Sequence, residues 1–276
     1  MQRPNHHLLI LVFTTTTYFL VADTRHVLAD TIENGHPLLP VLRMAMDVQK
    51  TIRNNVTDYT ATLKKRERVG GVVRDYEYLF VKVRHEQQDS SGKPIVPFSV
   101  YTRFLAPEKY KGREAIYIAG KNNGKMIAHE SRNGLIKKLL PSIWLSPDGK
   151  IAMHGNRYPI TKIGIDNLIT ELIVKGRREM DASPVKVNTL SAKVDNRPCQ
   201  CLQVIHPQRK PPFEAYRIRI FIDKELNIPI RFAAWDWPTA EDEEPEVIEE
   251  YTYSSLKINP GLTDADFDWN SHEYGF

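Results

Sequence analysis

Six histidines follow residue 29, at positions 36, 85, 129, 154, 206 and 272, and histidine is the side chain best matched to proton transfer near neutral pH. None of them is paired at metal-ligand spacing. His85-Glu86 and His129-Glu130 are adjacent in sequence, but successive side chains of a strand point to opposite faces, so neither is a ready-made acid–base couple. The HExxH, GxSxG, glycine-rich phosphate-loop and EF-hand patterns are absent. No catalytic residue, metal or cofactor is therefore nominated. A hydrolase acting on envelope material would need folding to build a cluster around His85, His129, His154 or His206.

The two cysteines, Cys199 and Cys201, share a face if they lie on a strand. Positions two apart in an extended chain sit near the upper limit for a disulfide. A strained bridge, two buried thiols and pairing between molecules all stay open, and two thiols fall short of the four ligands of a zinc site. Aromatic residues give a different lead. Trp235 and Trp237, two apart beside Pro238, face one way on a strand and could line a ligand groove or fill a core. Trp144, between Pro141 and Pro147, could cover a cavity mouth or act as a simple anchor.

These side chains need elements to position them. Val41, Ala45, Val48 and Ile52 recur at helical spacing, which predicts a helix over 37–55 with Pro40 in its first turn and Asn54-Asn55 as its stop. From Tyr59 the period becomes two. Tyr59, Ala61 and Leu63 begin a strand that runs into Lys64, Lys65, Arg66 and Arg68, a solvated face or an anion contact. Gly70-Gly71 turns it, and Leu79, Val81 and Val83 form the return. Residues 87–97 read as loop. Phe98, Val100, Thr102 and Phe104 alternate next, followed by strands over 115–119, 125–130 and 135–140. Residues 142–159 read as irregular. Ile165, Leu168, Ile169, Leu172 and Ile173 make the apolar stripe of a second helix, with Asp166 or Asn167 as its cap and Gly176 as its end. Further strands are expected over 185–194, 199–206, 216–223, 228–237 and 247–258.

Nine to eleven antiparallel strands must curl or close to hide their edges, and two amphipathic helices must cover an apolar sheet face. The expected fold is mainly β (α+β), a strongly curved antiparallel half-barrel with the two helices packed on its concave side. Phe104, Leu168 and Leu172, with Trp144, Trp235 and Trp237, are the candidate ligand-binding residues of the cavity such a shape encloses.

Residues 1–29 have the three parts of a secretory leader: Arg3, an apolar run over 8–22, and Val27-Leu28-Ala29 at the cleavage position. The run of about 15 residues is short for a spanning anchor, and no cysteine follows it for lipidation. Cleavage near Ala29 leaves one domain, 30–276, periplasmic or secreted. The net charge of +4 is unevenly divided, because residues 236–276 hold twelve acidic residues and one basic residue, Lys257. A basic body with an acidic final segment suggests an intramolecular contact, an anionic partner such as a lipid surface, acidic polymer or protein, or simply a charged surface that keeps the chain in solution. Nucleic acid is a poor candidate outside the cytoplasm.

The segment YTYSSLKINPGLTDADF over 251–267, followed by Tyr274-Gly275-Phe276, resembles the closing segment of secreted bacterial proteins related to the outer-membrane lipoprotein-sorting factors. Arg157-Tyr158-Pro159-Ile160, then Gly164 and the 168–173 helix, resembles the middle of the bacterial family named domain of unknown function 1571. The resemblance spans roughly 38–276. It implies an open, bent half-barrel with an apolar interior that shelters acyl chains of lipids or lipoproteins, without mapping any single binding residue. Burying a methylene contributes about 0.8 kcal/mol, so such a cavity needs no polar motif to hold a chain. A non-enzymatic binding protein for lipid or acylated protein is the leading expectation. An envelope interaction or sensor module with a basic face is its main rival.

Overall fold

The period-two pattern beginning at Tyr59 becomes a strand, β1 (Asp58–Val69), with Tyr59, Ala61 and Leu63 buried on one side. The structure, a computed structural model, describes residues 35–130, 142–240 and 242–276. The leader expected over 1–29 and the strand expected over 135–140 lie outside the described residues.

A two-residue β2 (Val72–Val73) returns from the Gly70-Gly71 turn against β1, followed by β3 (Glu77–Arg84). The segment read as loop holds a small ribbon of its own, β4 (Gln87–Gln88) with β5 (Pro94–Val96). Next come β6 (Ser99–Ala106), β7 (Glu114–Ile118) and β8 (Met126–His129). Part of the segment expected to be irregular is a strand, β9 (Ile143–Leu145), which pairs with β8. The second half supplies β10 (Lys186–Val194), β11 (Arg197–Ile205), β12 (Arg217–Asp223), β13 (Pro229–Trp235) and β14 (Val247–Ile258). Twelve strands join one antiparallel sheet in the order β10-β11-β12-β13-β14-β1-β3-β6-β7-β8-β9, with β2 beside β1. The sheet is open, and the two halves of the meander meet where β1 pairs with β14.

Two helices cover its apolar face, α1 (Leu39–Asn55) and α2 (Ile165–Arg178). Val41, Ala45, Val48 and Ile52 of α1 and Ile165, Ile169 and Ile173 of α2 enter one core with Leu63, Val81, Ile220 and Phe232 of the sheet. The expected mainly β half-barrel, with helices on one side, is the observed architecture.

The ends of α2 differ from expectation. Its N-cap is Gly164, at φ 133° and ψ 151°, a region that essentially only glycine occupies. The Ile165 N–H donates to the Tyr59 hydroxyl at 3.1 Å, so a sheet residue caps the helix and Asp166 does not. Asn167 turns backward, its amide donating to the Thr161 and Ile163 carbonyls at 3.1 and 3.0 Å. Gly176 lies inside the helix, not at its end. A Cβ there would sit 2.8 Å from Leu42 Cδ2, so the glycine permits the close approach of α1. Tyr59 is fully buried, and burial together with Tyr253 pushes its pKa well above the ordinary value. Tyr59→Phe would leave the Ile165 N–H without an acceptor. It is expected to cost about 1–3 kcal/mol, read as a lower urea midpoint.

A second core lies on the opposite face of the sheet. Phe267 and Tyr274, from the segment after β14, pack on Tyr101, Ile116 and Ile127, with Phe80, Leu262 and Phe276 around them. Ion pairs fasten this segment and its neighbours: Arg84–Asp264 at 2.7 Å, Lys82–Asp266 at 2.8 Å and Arg68–Asp236 at 2.7 Å. The acidic final segment is thus partly spent on the basic body of the same chain. Cys199 and Cys201 are free and buried, and burial pushes both thiols up.

Candidate functional site: a cavity with a buried carboxylate pair

The sheet and α2 do not fill the space between them. A cavity of about 380 Å³ remains, within the usual range for small-molecule sites. Leu63, Leu79, Phe104 and Met126 wall it from the sheet, and Ile163, Leu168 and Leu172 roof it. Three of the candidate ligand-binding residues, Phe104, Leu168 and Leu172, are therefore on its wall.

The three tryptophans are elsewhere. Trp144 is in register with Ile127, which belongs to the core on the opposite face, and meets Trp269 edge-on at 6.0 Å. Its neighbours Ile143 and Leu145 line the cavity instead, as strand alternation requires. The strand carrying Trp235 ends there, so Trp237 does not share its face by strand geometry. Trp235 lies beneath the Arg217 guanidinium at 4.6 Å. Trp237 donates its indole N–H to the His206 carbonyl at 2.9 Å. Packing and cation contacts occupy all three.

One end of the cavity is polar. Glu67 and Glu249 are 5% and 3% exposed and face each other across β1 and β14. The Tyr251 hydroxyl lies between them, 2.7 Å from Glu67 Oε1 and 3.1 Å from Glu249 Oε2. The backbone N–H of Arg157 donates to Glu67 Oε2 at 3.0 Å, and its Nε reaches Glu249 Oε2 at 3.2 Å. Tyr158 donates to Glu249 Oε1 at 3.2 Å. Lys65 Nζ donates to Asn156 Oδ1 at 2.7 Å and pairs with Glu67 at 3.3 Å and Glu77 at 3.1 Å. Three consecutive residues, Asn156 to Tyr158, are in this way clamped to the sheet at the edge of the cavity.

Burial raises the Glu249 carboxyl above the ordinary range, against the opposing pull of Arg157, Lys175 and its two tyrosines. One hydroxyl proton cannot serve two carboxylates. The sign for stability follows. A raised folded-state pKa means that the native protein holds this proton longer, so stability falls as pH rises from the unfolded carboxylate value toward the folded one. Glu249→Gln cannot titrate. Its stability relative to the parent is expected to increase with pH above about 4.3, measured as paired melting curves across pH.

The run Lys64–Arg68, expected as a solvated face or an anion contact, is divided by strand parity. Lys65 and Glu67 are buried beside the cavity, whereas Lys64, Arg66 and Arg68 face outward. The signal was available, since Lys65 and Glu67 continue the parity of Tyr59, Ala61 and Leu63. Their partners on β14 and the 156–158 segment are distant in sequence and carried no motif.

Three of the histidines are held by backbone, ring or hydroxyl contacts, and His154 lies on the cavity wall. His85 Nδ1 lies 2.8 Å from the Val56 carbonyl, and burial lowers its pKa. His206 is fully buried, stacked on Phe213, with Nε2 3.2 Å from Glu179. His129 Nδ1 lies 3.2 Å from Ser142 Oγ. The cross-strand Glu114 accepts from the Tyr101 hydroxyl and the Gly275 N–H, and among the described residues His129 Nε2 has no hydrogen-bond partner, so that serine–histidine contact has no carboxylate third member there. Among the described residues no group of acidic, histidine or cysteine side chains could hold a metal ion, and no helix is long and apolar enough to cross a membrane.

Several solved structures are similar over most of the chain. A DUF1329 family protein from Desulfovibrio piger shares 15% identity at a TM-score of 0.38, covering 86% of this chain and 98% of that one. An outer membrane lipoprotein-sorting protein domain from Vibrio parahaemolyticus shares 13% at 0.37, covering 82% and 95%. A LolA superfamily protein from Nitrosomonas europaea shares 8% at 0.32, covering 81% and 96%. No curated protein matches the sequence. Residues 56–276, which hold the whole sheet, α2 and both glutamates of the pair, match the family described as "Protein of unknown function (DUF1571)", and the chain belongs to that family.

Proposed function

We propose that this is a non-enzymatic carrier or binding protein for lipid or acylated protein, working in the periplasm or outside the cell after removal of residues 1–29. The observation that carries the reading is the apolar cavity of about 380 Å³ between the sheet and α2. Acyl chains lie along Leu63, Phe104, Leu168 and Leu172, and each buried methylene contributes about 0.8 kcal/mol. The clamp at Asn156–Tyr158 holds the edge of the roof down. Residues 30–276 act as one domain in this reading, and no cofactor takes part.

The test is solvent extraction and mass spectrometry of the mature protein, purified from its own envelope without detergent. A lipid or acylated partner at one per chain is the expected result. Protein that is empty, and that also fails to take up added fatty acid, would reject the reading.

A further inference from the structure

The outward face of the sheet carries cations that the cavity does not use. Register places Lys64, Thr252, Arg231 and Phe221 in one row across β1, β14, β13 and β12. The next row holds Arg66, Glu250, Ala233 and Arg219, extended by Gln203 and Asn188. These rows alternate with the inward residues, so they share the face opposite the cavity.

Three of the arginines on this face are neutralised, Arg68 by Asp236 at 2.7 Å, Arg231 by Glu250 at 3.0 Å and Arg217 by Glu244 at 3.6 Å. Lys64, Arg66 and Arg219 meet no carboxylate among the described residues, and rings hold them instead. Lys64 lies 4.0 Å over Tyr76, Arg66 is 5.1 Å from the same ring, and Arg219 is 5.7 Å from Trp235. Arg219 spends its Nε on Gln203 at 2.8 Å, which leaves the rest of its fork open. Strands are spaced about 4.8 Å apart, so Arg66 and Arg219, three strands apart, are separated by roughly 14 Å.

The geometry points to this face as a docking surface for an extended polysaccharide that carries carboxylates. Guanidinium forks match carboxylates in a bidentate manner, and cations already seated on rings lose little freedom on binding. At the end of the second row the exposed Asn188 offers a neutral amide suited to sugar hydroxyls. A nucleic acid would need free ring faces for base stacking, and cations already cover Tyr76 and Trp235. A bilayer would need apolar side chains that project into it, whereas Trp235, Tyr76 and Phe221 are half-buried in the sheet surface.

The experiment is titration of the full mature chain with polygalacturonate, using neutral dextran as control. Polygalacturonate is expected to bind and dextran not. Arg66→Gln with Arg219→Gln should weaken binding at least tenfold, while Lys121→Gln with Lys125→Gln, the same charge change at exposed sites far from the rows, should not. On the unaltered protein, polygalacturonate should protect Arg66 and Arg219 from phenylglyoxal, which keeps the test valid if the double variant misfolds. Absence of binding, equal weakening by both pairs, lack of protection, or stronger competition by anionic vesicles or an oligonucleotide than by the polymer itself would overturn the proposal.

Discussion

A chain carrying Leu168→Glu is expected to fold like its parent and to bind acyl chains at least about 100-fold more weakly. Leu168 lies on α2 at the roof of the cavity and is only half-buried. In the empty protein a carboxylate there can stay hydrated, so the cost to folding is small. An acyl chain would strip that water, and desolvating an unpaired ion costs several kcal/mol. A loss of 100-fold needs only about 2.8 kcal/mol. Displacement of a fluorescent fatty acid measures the effect, and a melting curve verifies the fold. Leu168→Met, which keeps volume and polarity, should bind normally. Trp144→Ala, Trp235→Ala and Trp237→Ala should each leave acyl binding unchanged, because none of the three is on the wall. Normal binding by a well-folded Leu168→Glu chain would place the lipid outside this cavity.

Glu67→Ala is expected to lower stability by about 3–5 kcal/mol, the range for removing one partner of a buried ion pair. Glu67 accepts from Tyr251, from the Arg157 backbone and from Lys65 at 2.7, 3.0 and 3.3 Å. Tyr251 can turn to Glu249, and Lys65 retains Glu77 at 3.1 Å. The Arg157 N–H has no substitute acceptor, and the clamp on 156–158 loses its attachment to β1. Glu67→Gln keeps one acceptor oxygen and should cost less. Urea unfolding of both variants gives the comparison. A loss below about 1 kcal/mol for Glu67→Ala would show that water replaces the carboxylate, contrary to its burial. Hydrogen exchange should rise first at residues 151–163 in the alanine variant.

What could be read in advance divides along physical lines. The strands and both helices follow from hydrophobic period, which is local, and β1, β6, α1 and α2 appear close to their expected positions. Signals that depend on packing were misread. Gly176 resembles a helix stop until Leu42 is seen against it. Asn167 looks like a cap, while the true cap is Tyr59, on a strand far away in sequence. Phe104, Leu168 and Leu172 were nominated from apolar stripes, and stripes do face the interior. The tryptophans were nominated for their chemistry, and chemistry alone does not say which side of a strand a ring takes. The carboxylate pair escaped notice because charged residues in a row read as surface. Only the parity of β1 separates Glu67 from Arg66.

The pairing of β1 with β14 at the middle of the sheet also constrains how the molecule can form. Tyr59 sits opposite Ile258, and Glu67 opposite Glu249, so strands near the two ends of the described chain hold its halves together. Contacts of such long sequence separation slow folding, because the loop between them must close first. During synthesis β1 has only β3 and the two-residue β2 beside it until residues 247–258 emerge from the ribosome. The nascent chain thus lacks its central strand pair, and its buried carboxylates, until β14 has been made. Until that strand is made, the polypeptide remains open at its centre and can still be threaded.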